Sequence, residues 1–154
     1  MNNLLPGLPL IESPLFPALL PELGLTPEQT RIGLDLHHKG YAVFDFPDHE
    51  MAQRIERLKA GLGPRFRVDF DDPEIDKNAV DGRSQDAWKF DDDVKAIASN
   101  EGVIELLSAL YGRTAFPFQT LNFPVGTQQA AHSDMVHFSS QPEKFMCGVW
   151  LAME

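Results

Sequence analysis

The stretch that decides the fold class is residues 112–138, GRTAFPFQTLNFPVGTQQAAHSDMVHF. After Gly112 the sequence becomes rich in aromatic residues and in apolar residues that alternate with polar ones, a pattern typical of β-strands. It predicts strands at 115–123 and 128–138, and a further strand at 145–153. Because the segments before Gly112 are mostly helical in pattern, the order favours an α+β domain whose later part is an antiparallel sandwich or barrel.

Upstream of that stretch, helices are predicted from their ends and their apolar spacing. Thr26 with Gln29 three residues later predicts a capping box and a helix that runs to about His38. Asp48 predicts the cap of a second helix, and residues 101–111 have the apolar spacing of a third. The apolar stripe of the second helix consists of Met51, Ile55, Leu58 and Leu62.

The segments between these helices are less regular. Residues 41–46 are predicted as a strand that Pro47 ends, and residues 64–86 as a long loop with a short strand at 65–70. The acidic run Asp91–Asp93 precedes apolar residues, so helix capping accounts for it better than a calcium loop does.

Residues 1–25 are predicted to form a proline-rich arm that precedes a single domain at 26–154. Six of the twelve prolines fall in the first 27 residues, among many leucines. Proline at this frequency excludes a spanning helix and favours an extended arm. Its leucines and Phe16 are expected to lie on the body of the domain or on a partner, because so much apolar surface is seldom left in water.

Composition narrows the class of partner. The 154 residues are 43% hydrophobic, which is enough for a core, and their formal net charge is -10. That charge opposes binding to nucleic acid and to anionic membranes, so neither partner is expected. The single cysteine, Cys147, rules out an internal disulfide and fits a reducing, cytoplasmic setting.

The chemistry of the chain is concentrated at His132 and Asp134. In a strand, side chains two residues apart share one face, so this imidazole and this carboxylate converge on one point above the sheet. Such a pair supplies two of the three ligands of a facial triad for non-haem Fe(II). His137 lies at odd spacing from both residues, which favours a packing or substrate-side role for it.

Five residues in this order and spacing, Gln119, Asn122, His132, Asp134 and Trp150, resemble the phytanoyl-CoA dioxygenase family of Fe(II)- and 2-oxoglutarate-dependent oxygenases. The resemblance covers roughly residues 88–154. It implies a double-stranded β-helix, a cupin-like jelly roll, with the N-terminal helices packed on it. It also implies that His132 and Asp134 bind Fe(II), that Gln119 and Trp150 line the 2-oxoglutarate pocket, and that a small organic substrate is hydroxylated.

The family's second histidine and its 2-oxoglutarate-binding arginine have no counterpart before Glu154. Two interpretations follow. In one, residues 26–154 are the N-terminal part of an oxygenase domain, with a partial jelly roll that lacks its C-terminal strands. In the other, the chain is a non-catalytic module or subunit that binds a protein partner through its open edge strand. Neither substrate identity nor oligomeric state follows from the sequence.

Overall fold

A computed structural model of the chain describes residues 5–76, 80, 82–126, 130, 132, 134, 138 and 140–153. The described residues belong to two compact units, which are taken separately below. Unit 1 comprises Met1–Pro47, Glu101–Ala115 and Ala131–Ala152, and unit 2 comprises Asp48–Asn100, Phe116–Ala130 and Met153–Glu154. The elements are helices α1 (Phe16–Leu19), α2 (Pro27–Lys39), α3 (Met51–Phe66), α4 (Asp92–Ala98) and α5 (Glu101–Tyr111), and strands β1 (Ser84–Gln85) and β2 (Leu121–Asn122).

The proline-rich arm is part of the core of unit 1. Its prediction as an extended segment is wrong, because its described part forms α1 and two 3₁₀ turns at Leu10–Glu12 and Leu20–Leu23. Proline stands in the first turn of α1 and of the second 3₁₀ turn, where the missing N–H costs no hydrogen bond. Arm residues supply more than half of the buried cluster, which consists of Leu10, Ile11, Phe16, Leu20, Ile32, Leu106 and Leu110.

Helix α2 begins and ends where its sequence predicts. The Thr26 hydroxyl accepts the Gln29 backbone N–H at 3.2 Å, and the Gln29 side chain accepts the Thr26 N–H at 3.0 Å. Both hydrogen bonds of the capping box are therefore present. Gly40 ends the helix at a φ of 79°, a left-handed conformation that glycine adopts without steric cost.

Unit 2 is built around the packing of α3 against α4. Helix α3 begins at Met51 rather than at Asp48, whose carboxylate accepts the Glu50 N–H at 2.9 Å just before the helix. Because α3 continues to Phe66, the predicted short strand at 65–70 is wrong. The Asp91 carboxylate caps α4 as predicted, by accepting two backbone N–H groups. The buried cluster of this unit consists of Leu58, Leu62, Ala87 and Val94.

Little of the predicted sheet is paired among the described residues. Ser84 pairs with Asn122 and Gln85 with Leu121, in a two-stranded antiparallel sheet. The described parts of 41–46, 115–120 and 145–153 are not assigned to strands. The jelly roll, which would need these segments to pair with one another, stays a prediction. Within the described ranges, no helix has both the length and the apolar character needed to cross a membrane.

Candidate metal centre

The structure places the His132 and Asp134 side chains together in unit 1. His132 Nε2 lies 3.4 Å from Asp134 Oδ1, and the two side chains are 33% and 48% exposed. Two ligands about 2.1 Å from an octahedral ion, at right angles to each other, have donor atoms roughly 3 Å apart. The separation of this pair therefore suits neighbouring ligands of one ion, and both side chains are partly exposed.

The backbone beside this pair differs from an uninterrupted strand. The Phe138 N–H donates to the Asp134 carbonyl at 2.9 Å, a turn-type hydrogen bond that a regular strand does not make. The proximity of the two side chains was expected from strand spacing, whereas the hydrogen bond between Phe138 and Asp134 was not. Ser133 and His137 lie outside the described residues, as does Gln129.

Trp150 and Gly148 lie beside the same carboxylate. A Cβ atom built on Gly148 would lie 3.4 Å from Trp150 Nε1 and 3.6 Å from Asp134 Oδ2. The indole N–H and the second carboxylate oxygen thus flank one point of the Gly148 backbone. Trp150 is 68% exposed. Gly148 was not identified from sequence, although a lone glycine within an apolar strand pattern often marks a close backbone approach.

The segment that carries Gly148 and Trp150 contacts α5 through Tyr111. The Tyr111 hydroxyl donates to the Met146 carbonyl at 3.1 Å, and its ring packs against Phe145 with centroids 6.4 Å apart. Burial raises the pKa of the Tyr111 hydroxyl and also that of the Cys147 thiol. Burial thus favours the neutral thiol of Cys147 when no metal ion is bound.

Gln119, the other predicted cosubstrate contact, belongs to unit 2 and is half-buried just before β2. Near it, the Asp86 N–H donates to the Thr120 carbonyl at 2.8 Å, and the Lys89 ammonium lowers the pKa of the Asp86 carboxyl. Three buried polar atoms of unit 2 have no hydrogen-bond partner among the described residues, namely Asp86 Oδ1, Trp88 Nε1 and Asn122 Oδ1. Sequence reasoning did not identify Asp86 or Trp88, because the pairing of β1 with β2 is what brings them to Thr120.

A complete ligand set is not present in the described part of the chain. Within it, no three His, Cys, Asp or Glu side chains are arranged to hold a metal ion. The donor set of His132 and Asp134 thus fits two positions around an ion. A search of known protein families finds no match to this chain, and searches of curated proteins and of solved structures find none either.

Proposed function

We propose that the chain is part of an Fe(II)- and 2-oxoglutarate-dependent dioxygenase that hydroxylates a small organic substrate, similar to the phytanoyl-CoA dioxygenase family. The observation that supports the proposal is the 3.4 Å separation of His132 Nε2 and Asp134 Oδ1 in an accessible position. Imidazole and carboxylate are the ligand types of the facial triad, which leaves coordination positions open for other molecules.

Each residue has a distinct task in this proposal. His132 presents a neutral imidazole nitrogen and Asp134 a carboxylate oxygen, and together they hold the ion from one side. Trp150, whose indole lies near Gly148, suits a flat wall and one N–H donor by residue type. Gln119 suits a donor to a cosubstrate carboxylate by residue type, an assignment that rests on the family resemblance. Bound Fe(II), with 2-oxoglutarate as cosubstrate and O₂, would supply the oxidising chemistry, while the protein supplies placement.

The test is a titration of the 154-residue chain with Co(II), a spectroscopically visible substitute for Fe(II). The expected result is saturable binding whose Kd rises at least about tenfold in His132→Ala and in Asp134→Ala, because each variant loses one of two ligands. His49→Ala is the matched control, since His49 lies in unit 2 and is not proposed as a ligand. In a parallel assay of the full-length enzyme of which the chain is proposed to be a part, with Fe(II) and O₂, succinate release from 2-oxoglutarate should be lost in the same two variants. An equal Kd in the wild type and both ligand variants would contradict the proposal.

A second candidate function is favoured by exposed apolar residues in unit 1. Val149 and Trp150 are 49% and 68% exposed, and Tyr41 and Val43 are 64% and 75% exposed. Large exposed apolar side chains are typical of surfaces that bind a protein partner. As a non-catalytic module, the chain would bind a protein partner there. This function predicts that Val149→Lys abolishes partner binding and that His132→Ala does not, as measured by pull-down with the partner and by Co(II) titration.

A further inference from the structure

Gly148, beside the candidate metal centre, is a glycine for no reason of backbone geometry or packing. Its φ lies outside the left-handed region, so an L-residue would adopt the same backbone without strain. A Cβ atom there would meet its three nearest neighbours, Trp150 Nε1, Asp134 Oδ2 and Trp150 Cδ1, at 3.4, 3.6 and 3.7 Å. These are ordinary van der Waals distances, so alanine would fit at this position.

Other glycines of the chain have a structural reason that Gly148 lacks. A Cβ atom on Gly63 would lie 2.7 Å from the Val68 carbonyl oxygen, a separation that backbone atoms cannot accommodate. Gly40 ends α2 in the left-handed region. The reason for a glycine at position 148 is therefore sought in what a side chain there would touch.

A side chain on Gly148 would place carbon against the carboxylate of the candidate site. Asp134 Oδ1 lies 3.4 Å from His132 Nε2, whereas Oδ2 is the oxygen that a Cβ on Gly148 would contact. Gly148 is exposed, and the Asp134 side chain is 48% exposed. Glycine thus keeps carbon away from the carboxylate oxygen that does not face His132.

Carbon beside that oxygen becomes unfavourable once the other oxygen binds an ion. A carboxylate that ligates a metal keeps its remaining oxygen in a hydrogen bond, and removal of such outer contacts typically costs about 10–100-fold in metal affinity. A methyl group donates no hydrogen bond, and next to Oδ2 it would exclude a water molecule that does. A larger side chain would exclude more water.

We propose that Gly148 sets the metal affinity of the candidate centre by keeping the space beside Asp134 Oδ2 for water, which donates a hydrogen bond to this oxygen when Oδ1 binds an ion. The inference deepens the proposed function and rests on it. Gly148 acts through the Asp134 carboxylate and forms no bond to the metal itself. Its role lies in the size of its side chain, and not in the contacts of the Trp150 indole.

The test compares metal affinity with stability in variants of the 154-residue chain. Gly148→Ala should raise the Kd for Co(II) about threefold or more, and Gly148→Val, which adds two further methyl groups, about tenfold or more. The urea unfolding midpoint of Gly148→Ala should equal or exceed that of the wild type, because alanine restricts the unfolded chain and fits the folded one. A general loss of structure would instead lower both affinity and stability.

Gly7 provides the matched control in the same unit. A Cβ atom on Gly7 would have no neighbour within 4 Å, and its φ also lies outside the left-handed region. Gly7→Ala and Gly7→Val should leave the Kd for Co(II) at the wild-type value. A double-mutant cycle tests whether Gly148 acts through the carboxylate, since in the Asp134→Ala background Gly148→Ala should raise the Kd no further.

The outcomes separate this inference from the proposed function. An unchanged Kd in both Gly148 variants, with His132-dependent binding in the wild type, would overturn the inference and leave the proposed function standing. The same conclusion would follow from an undiminished rise in Kd in the Asp134→Ala background, or from a rise that accompanies a lower unfolding midpoint in Gly148→Ala. A wild-type Kd that does not depend on His132 would overturn the proposed function and this inference with it.

Discussion

Asp93 carries a single charge that two arginines share. Its carboxylate accepts from Arg54 Nη1 at 2.8 Å and from Arg57 Nε at 2.7 Å, and its side chain is only 15% exposed. The pKa of the Asp93 carboxyl is lowered below its ordinary value. The hydrogen bonds from Arg57 have the largest effect, and the one from Arg54 adds to it. The run Asp91–Asp93 was expected to cap a helix, which is confirmed for Asp91. The bonds of Asp93 span 36 and 39 residues, and no local pattern could indicate them.

Asp93→Asn is expected to lower the free energy of unfolding by about 1 kcal/mol at neutral pH, since it replaces charged hydrogen bonds with weaker neutral ones. A depressed carboxyl pKa contributes stability that is fully present above the unfolded-state value of about 3.9. The difference between wild type and variant should therefore be constant from pH 5 to 8 and shrink as the pH falls below about 4. Urea unfolding at a series of pH values measures it. The neighbouring, exposed Asp92 provides the control, and Asp92→Asn should cost at most a few tenths of a kcal/mol.

At the candidate centre, single residues were predictable to different degrees. Strand spacing predicted that the His132 and Asp134 side chains lie close together, and the structure places their donor atoms 3.4 Å apart. Gly148 came only from the structure, because its importance lies in the approach of Asp134 and Trp150 to its backbone. The hydrogen bond that the Arg113 guanidinium donates to the Pro6 carbonyl was not predicted from the sequence either, because the two residues lie 107 positions apart.

Among the elements, helices were predicted better than strands for a physical reason. The ends of α2 depend on contacts within a few residues, such as those of Thr26 with Gln29, and these can be read from a local pattern. A strand exists only when another strand pairs with it, and for 41–46 no described segment does so. The residues in that segment still alternate as a strand would, because Ala42 and Phe44 pack on the unit 1 core while Tyr41 and Val43 are exposed. The alternation of burial in 41–46 is therefore that of a strand, although no described segment pairs with it.

The packing of α2 gives a prediction whose sign opposes helix propensity. A Cβ atom on Gly33 would lie 2.9 Å from Leu110 Cδ2 and 3.2 Å from Phe16 Cζ, and both of these residues are fully buried. Gly33→Ala should therefore lower the free energy of unfolding by about 1–3 kcal/mol, although alanine favours a helix by up to about 1 kcal/mol. Gly102→Ala in α5 is the control, because Gly102 is exposed and the change there should be neutral or stabilising. Thermal and urea unfolding of the two variants compare them, and a more stable Gly33→Ala would refute this account of the packing.

For the whole molecule, charge limits the choice of partner more than any motif does. Thirteen basic residues stand against 23 acidic ones, and the sequence pI is about 4.8. Exposed carboxylates at this excess repel phosphate backbones and anionic lipid headgroups over roughly a Debye length, about 8 Å at physiological salt.

The chain is accordingly expected not to bind duplex DNA or anionic vesicles at neutral pH and 0.15 M salt. Fluorescence anisotropy of labelled DNA and co-sedimentation with phosphatidylserine vesicles measure this, with a basic protein of similar size as the positive control. Lowering the pH toward 4.8 should reduce solubility, because the net charge then approaches zero. Saturable binding to either partner at neutral pH would mean that a local basic surface outweighs the total charge.

The position of the arm in the core also has a consequence for the order of events during synthesis. The Arg113 guanidinium donates to the Pro6 carbonyl, and Arg113 is made 107 residues after Pro6. Lys144, which donates to the Glu12 carboxylate, is made 132 residues after Glu12. At translation rates of about 5–20 residues per second, the arm emerges from the ribosome roughly 5–26 s before these partners do. Its leucines and Phe16 emerge before α5, whose Leu106 and Leu110 complete their buried cluster, so unit 1 cannot finish folding until its later segments have left the ribosome.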